Sequence, residues 1–366
     1  MRTVIITDGR YRSAIAAARE LGRAGYDVVV TEARADERAE PPVFSSRFAR
    51  GAWIEGSVKD AEYPDRLLAF LRRFDRPVLL PVGAATLRTV SGRKADFAAV
   101  SDFLIADPAA LEALNDKNRV HEAAEALGLP VPKQYTDAPE RYPVVVKPHC
   151  GEASGLKAKD RYCVANNEAE LTRALERFRP YDPDPIVQEK VEGDGEGVSV
   201  LLAEGSRLVR AICHRRLREY PMSGGPSTCC ITEYDAGKID AAVRLLAHFG
   251  FVGLAMVEFK GGRILEVNPR VWGTFPLTVF AGAGFCESYV REAAGERVPY
   301  APKNYETGKK MRFFLNDLAA SADLLRHGKR KAGLSGLLDA FRVPEGLKDP
   351  EDRRAYRKYI SSYFRR

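Results

Sequence analysis

Residues 253–273 read G-L-A-M-V-E-F-K-G-G-R-I-L-E-V-N-P-R-V-W-G. Two apolar runs, 253–259 and Arg263–Asn268, flank Gly261-Gly262, the pattern of two strands joined by a tight turn. Glu258 lies on the first run. Glu266, Asn268 and Arg270 recur at every second position on and beyond the second run, which places those three on one face. A carboxylate, an amide oxygen and a guanidinium side by side suit a divalent cation bridging phosphates, with a fixed cation where negative charge develops. Turn length then becomes decisive. A two-residue turn would set Glu258 against Leu265 and send Glu258 and Glu266 to opposite faces. A three-residue turn with a bulge pairs Lys260 with Ile264 and brings the two carboxylates opposite each other, as shared metal binding requires.

On either side of the hairpin the chain divides into three. In the first hundred residues, strands are expected at 4–7, 27–31 and 78–81 and helices at Arg12–Arg23 and 63–74, a βαβ pattern feeding a parallel sheet. The first turn, Thr7-Asp8-Gly9-Arg10-Tyr11-Arg12-Ser13, has one glycine and lacks the G-x-G-x-x-G fingerprint. This disfavours dinucleotide binding and favours a substrate pocket at the strand ends. Helices are expected at 107–115 and 117–127, and further strands at Val144–Lys147, Ile186–Glu189 and 197–202. The last part, 301–366, reads as mostly helical.

Composition sets the outer limits. The 366 residues are 45% apolar and 29% charged, an ordinary globular balance that excludes a disordered chain or a disulfide scaffold. The formal charge of +7 is unevenly spread, with residues 301–366 carrying +8 and the first 300 carrying −1. Nucleic acid is therefore disfavoured as a partner, because the body of the protein is neutral. The six cysteines form no C-x-x-C pair and read as free thiols of a reducing compartment. The N-terminus enters a strand at once, and no 18-residue uncharged apolar run occurs. A cytoplasmic protein without a membrane partner is expected.

Together with motifs upstream, the hairpin resembles the ATP-grasp superfamily, of the carboxylate–amine ligase type, and is similar to enzymes like carbamoyl-phosphate synthase and biotin carboxylase. The resemblance covers roughly residues 105–300, and its parts occur in the expected order. It implies an α/β protein whose ATP-grasp part is α+β. A Rossmann-like domain would occupy 1–104 and a two-lobed ATP-grasp domain 105–300, with a small lobe at about 130–187 and a hinge at 188–193. A basic helical segment would follow at 301–366.

The resemblance also implies site roles. Glu258, Glu266 and Asn268 match the magnesium ligands (manganese being an alternative metal), and Arg270 matches the cation that stabilises the adduct's oxyanion. Lys117, after Asn115-Asp116, matches the first nucleotide-binding lysine. Lys147, in V-V-V-K-P, matches the second, which reaches the phosphates of ATP. In the following His149–Lys157 stretch, with only two glycines, Ser154 and Lys157 are candidates for a phosphate-covering loop. Glu189, Lys190 and Val191 match the adenine-binding hinge. Glu196 is the ribose candidate, with Glu192 and Asp194 as competitors. Finally, H-R-R-L-R-E-Y-P-M-S-G-G-P-S-T at 214–228 reads as a basic loop for the γ-phosphate, the substrate carboxylate or both. Arg215 and Arg216 alternate sides, so at most one faces the site; Arg215 is taken as the catalytic candidate.

The implied function is an ATP-dependent ligase that activates a carboxylate as an acyl phosphate and joins it to an amine, with amino acids among the candidate substrates. The rival readings are an ATP-grasp enzyme that uses bicarbonate as the acid, and a non-enzymatic nucleotide- or RNA-binding protein using the basic tail. A homodimer is compatible with the sequence, and the C-terminal segment could cap the cleft, pack on a second subunit or solvate the protein.

Overall fold

The computed structural model describes residues 2–35, 39–150, 155–156, 160–221 and 225–364. The first layer is a parallel sheet built from β1 (Thr3–Ile6), β2 (Asp27–Arg34), β3 (Arg50–Glu55) and β4 (Val78–Leu80), in the order β3-β2-β1-β4. Its strands are near-continuous Val, Ile and Leu because both faces are covered, as parallel sheets require. The helix Arg12–Arg23 covers one face with Ala14, Ile15, Ala18 and Leu21, and Tyr63–Leu71 covers the other with Leu67 and Leu71.

A small antiparallel sheet follows, made of β5 (Val144–Lys147), β6 (Cys163–Ala165) and β7 (Ile186–Glu189) in the order β6-β5-β7. The helix Glu168–Phe178 buries Leu171, Ala174 and Phe178 against Val144 and Val146. That helix starts where it does because the Asn167 side chain accepts the Glu170 backbone N–H at 3.0 Å.

The largest sheet has six antiparallel strands. These are β8 (Gly195–Ala203), β9 (Arg207–Glu219), β10 (Ser227–Glu233), β11 (Gly253–Lys260), β12 (Arg263–Asn268) and β13 (Lys310–Arg312), in the order β12-β11-β8-β9-β10-β13. One face packs on the helix Ala236–His248 through Ile239, Leu245 and Leu246, with Val257 and Phe259 beneath it. The other face shares a core with the N-terminal layer, through Met256, Trp272, Phe275, Phe285 and Met311.

Sequence and structure differ most in the large sheet. The basic 214–228 segment is not a loop: residues to Glu219 finish β9, and β10 begins at Ser227. Three adjacent or near-adjacent arginines hid the alternation of β9 from a period-two reading. The C-terminal segment is helical as expected, at Phe314–Arg326, Arg330–Arg342 and Arg353–Tyr363, but it also supplies β13. Its three residues are too few to leave a sequence signature.

A buried arginine ties this segment to the N-terminal layer. Arg19, 4% exposed, donates through Nε to Asp352 Oδ2 at 2.8 Å and through Nη1 to the Leu347 carbonyl at 2.7 Å. Ser46 Oγ donates to the same Asp352 oxygen at 2.8 Å. Replacing Asp352 by alanine would take away the close partner of the buried Arg19 charge and leave only Asp349 at 3.8 Å, so Asp352→Ala is expected to lower the unfolding free energy by about 3 kcal/mol. A denaturant titration checks this; a loss below ~1 kcal/mol would show that the pair does not hold the segment in place.

Candidate active site

The decisive hairpin reaches the face-to-face arrangement by a route the sequence did not reveal. Its turn has two residues: Lys260 pairs with Arg263, and Gly261 and Gly262 take φ of 52° and 77°. The register then shifts by one, because Phe259 pairs with Ile264 whereas Glu258 pairs with Glu266, leaving Leu265 as a bulge. The expected Lys260–Ile264 pairing is thus replaced, yet the two carboxylates stand directly opposite each other. Met256 faces Asn268 one pleat further on, and Asn268 Nδ2 donates to Glu258 Oε1 at 3.0 Å. Arg270 Nη2 donates to Asn268 Oδ1 at 3.2 Å, so Glu258, Asn268 and Arg270 form one connected group, with Glu266 in register opposite Glu258.

Two glycines in β8 decide which arginine joins them. Register runs from Glu258 to Gly197 and from Gly197 to His214, so these positions share a face, and Arg216 lies two residues along that face on β9. A Cβ on Gly195 would lie 3.1 Å from Arg216 Cδ, and one on Gly197 only 2.3 Å from His214 Cε1. The bare backbone lets Arg216 reach across β8 and place Nη2 at 2.5 Å from Glu258 Oε2. Arg215, the expected residue, points to the other face, with Nε at 2.7 Å from Glu233 and Nη1 at 3.1 Å from Asp194. Reading G-E-G at 195–197 as a pair of vacated same-face positions would have found Arg216.

Glu196 is also turned away. It pairs in register with the buried Phe259, on the face covered by Ala236–His248, and meets Lys238 Nζ at 2.7 Å. The ribose expectation therefore falls on a residue already engaged with a helix lysine.

Both expected lysines converge on the carboxylates. Asp116 caps the helix Lys117–Ala126 by accepting the Asn118 and Arg119 N–H groups, at 2.9 and 3.2 Å, which fixes Lys117 in the first turn. Lys117 Nζ lies 3.3 Å from Glu266 Oε2. Its backbone N–H donates to the His149 carbonyl at 3.2 Å, joining the helix start to the chain leaving β5. Asp182 holds that chain further, accepting His149 N and Nδ1 at 2.7 and 2.6 Å. Lys147, at the end of β5, is 9% exposed, and among the described residues no carboxylate pairs with it. Burial, then repulsion from Lys117, pushes its ammonium down to about 8. Ser154 and Lys157 lie outside the described residues, as do Met222, Ser223 and Gly224 at the β9–β10 tip.

Electrostatics separate the two carboxylates. Burial pushes Glu258 up despite Arg216, with the neighbouring Glu266 adding to the effect. Burial acts the same way on Glu266, but Lys117 and Lys147 outweigh it and hold this carboxyl below its ordinary value. His214 is pushed down to about 3 by burial and by Arg216, so it serves as a neutral spacer, with Nε2 3.3 Å from Thr274 Oγ1.

Lys117, Lys147, Gln134, Gln188 and the bulged Leu265 line a cleft between the small and large sheets. The link between these sheets is the 188–193 stretch, where a hinge is expected. Glu189 accepts the Lys133 N–H through Oε1 and donates its own N–H to the Lys133 carbonyl, both at 2.9 Å. Lys190 meets Glu192 at 2.5 Å, and Val191 is buried. The chain then passes so close to the hairpin turn that a Cβ on Gly261 would lie 2.4 Å from the Glu192 carbonyl oxygen. Only glycine fits there.

Two carboxylates and one amide oxygen are hard donors suited to Mg²⁺. Among the described residues no three Asp, Glu, His or Cys side chains are grouped to hold a metal by themselves. The donor set fits a cation that takes its remaining oxygens from phosphates and water.

The family model for the ATP-grasp domain matches residues 114–274, a span running from just before Lys117 to Thr274 beside His214. Residues 114–274 are an ATP-grasp domain. The fold is shared with N5-carboxyaminoimidazole synthetase from Staphylococcus aureus, at TM-score 0.63 and 16% identity over 90% of this chain and 86% of that one. It is shared with the biotin carboxylase domain of Hydrogenobacter thermophilus 2-oxoglutarate carboxylase, at TM-score 0.62 and 15% identity over 84% and 73%. An L-amino acid ligase from Bacillus licheniformis matches at TM-score 0.56 and 14% identity over 81% and 75%. No curated protein matches the chain in sequence. The structural likeness extends beyond the ATP-grasp domain to most of the chain.

The glycine-cleared path is testable by a double-mutant cycle. Gly195→Val places a branched side chain where Arg216 crosses and is expected to cost about 1–3 kcal/mol of stability. Combined with Arg216→Ala, it should cost less than the sum of the two, because both remove one contact. Strict additivity in urea titrations would show that the glycine acts elsewhere.

Proposed function

We propose that this protein is an ATP-dependent carboxylate–amine ligase. The observation that carries the reading is the charged group itself: Lys117, Lys147 and Arg216 around Glu258, Glu266 and Asn268, with Arg270 beside them. Lys147 offers a buried positive charge with no carboxylate in ion-pair contact, as a phosphate contact needs. Glu189, Lys190 and Val191 would border the adenine, with their backbone already held against Lys133 and Pro143. Glu258, Glu266 and Asn268 would hold magnesium, which when bound with ATP draws charge from the β- and γ-phosphates.

In the reaction, the acid's carboxylate oxygen attacks the γ-phosphorus as the bond to the β,γ-bridging oxygen breaks, releasing ADP. The amine nitrogen then attacks the acyl carbon, the carbon–oxygen bond to phosphate breaks, the amine proton leaves with the departing phosphate, and an amide and inorganic phosphate result. Arg270 would stabilise the tetrahedral oxyanion. Arg216 would replace Glu258 by phosphate as its partner once the metal takes the carboxylate. Phosphorylation supplies the leaving group that a carboxylate lacks, so the protein's part is positioning and charge neutralisation. Six free cysteines among the described residues fit a reducing compartment, and we assign the protein to the cytoplasm.

ATP-dependent phosphate release, assayed over a panel of amino acids, carboxylic acids and bicarbonate, tests the reading. Release requiring both an acid and an amine supports it, whereas release with bicarbonate alone favours carboxylation. In the responsive assay, Arg270→Ala should lower kcat about 10²–10³-fold with the KM for ATP little changed. Glu266→Ala should abolish ADP formation while the protein stays folded; undiminished turnover would sink the metal assignment.

Lys147 gives a separate pH signature. In the free protein its charge is lost as pH rises through about 8, while a bound phosphate returns it towards its ordinary value of about 10.4. ATP affinity by calorimetry should therefore fall between about pH 7.5 and about pH 9.5, and Lys147→Met should remove most of that fall. A flat wild-type profile would take Lys147 out of the phosphate contact.

A further inference from the structure

The helix Arg330–Arg342 packs on the protein by its small residues and leaves its large apolar ones outside. Gly333 and Gly336 are its buried positions. A Cβ on Gly333 would meet Leu325 Cγ at 2.6 Å, and one on Gly336 would meet Ser321 Oγ at 2.2 Å, so the backbone lies directly on Phe314–Arg326. Arg218 pins both helices to β9, through Asp317 at 2.8 Å and Asp339 at 2.8 Å. The outward side carries Leu334 (55% exposed), Leu338 (54%), Phe341 (91%) and Leu337 (37%). At about 100° per residue, the first three fall within one narrow stripe.

Cations flank that stripe. Arg330 borders it on one side, and Lys331 and Arg342 on the other, with Arg326 beyond the helix start. All four are exposed, and among the described residues none pairs with a carboxylate. The only acid of the helix, Asp339, is taken by Arg218.

We propose that this helix docks the protein on an anionic lipid surface, lying flat with Leu334, Leu338 and Phe341 in the headgroup–acyl boundary. Apolar residues flanked by basic ones are the composition of an interfacial helix. Charge complementarity selects an anionic occupant. A second copy of the chain would bring two sets of unpaired cations together with no exposed acid on either helix to offset them. A Phe ring with nine-tenths of its surface in solvent is a ridge and not a groove, and a deformable surface receives a ridge without a matching pocket. The absence of any helix long and apolar enough to cross a membrane, among the described residues, is no obstacle, since an interfacial helix does not span. The proposal is independent of the ligase chemistry and goes beyond it.

Flotation of the full chain with vesicles tests the proposal. The protein should float with phosphatidylcholine vesicles containing phosphatidylglycerol, not with phosphatidylcholine alone, and should be released by high salt. Lys331→Glu should weaken binding at least about fivefold. Leu338→Ser/Phe341→Ser should abolish it while the circular dichroism spectrum and melting temperature hold, as expected for exposed positions. Failure to float with the anionic vesicles overturns the proposal. So does a double variant that floats like wild type. A wild-type dimer in analytical ultracentrifugation that becomes monomeric in the double variant would assign the face to a second copy and likewise overturn it.

Discussion

The short contact between Arg216 and Glu258 organises the centre of the molecule. A largely buried carboxylate needs a counter-charge, and removing one partner of such a pair costs about 3–5 kcal/mol. Here the counter-charge comes from two strands away. It can cross β8 only because positions 195 and 197 carry no side chains on that face. The same clearance seats His214, whose neutrality prevents a further positive charge from crowding Arg216. One local choice, G-E-G, therefore determines the geometry of a site drawn from β9, β11 and β12.

Lys117 and Glu266 repeat the pattern from the other side of the cleft. Each metal-type carboxylate is thus paired with a cation that can also serve a phosphate. In the proposed reaction, magnesium and ATP would enter such a site by exchange of partners, without creating unpaired charge. The carboxylates would pass from cations to metal, and the cations from carboxylates to phosphate. Lys147 differs, because it has no carboxylate to leave. Burial lowers its pKa, and in the proposed reaction a bound phosphate would supply the counter-charge that this low-dielectric place lacks.

How far the sequence carried depended on whether a residue's role was local. Lys147 at the end of V-V-V, and Lys117 opening a helix after Asn115-Asp116, follow from neighbours in the chain, and both placements were legible. The opposition of Glu258 and Glu266 was legible as a requirement, but the means was not. A bulge at Leu265 depends on packing across the sheet, which turn chemistry at Gly261-Gly262 does not report. Choosing between Arg215 and Arg216 needed the register of β9 on β8, a contact between strands that period-two counting on β9 alone cannot fix. Glu196 failed for the same reason, since one pleat decides whether an acid faces the cleft or Lys238. β13 was invisible because three residues owe their strand conformation to β10 and not to themselves.

The C-terminal charge resolves in the same way into local roles. Four of its acids are spent inward: Asp352 on Arg19, Asp349 on Arg23, and Asp317 and Asp339 on Arg218. Those four carboxylates fasten the segment to the N-terminal layer and to β9, so Arg330, Lys331 and Arg342 are left without acids of their own. Net charge at the surface is therefore a product of how the segment is anchored. Because the anchoring face of Arg330–Arg342 is built from glycines, its leucines and Phe341 are expelled to the same side as the unpaired cations. Packing by small residues thus produces an apolar, basic ridge as a direct geometric result.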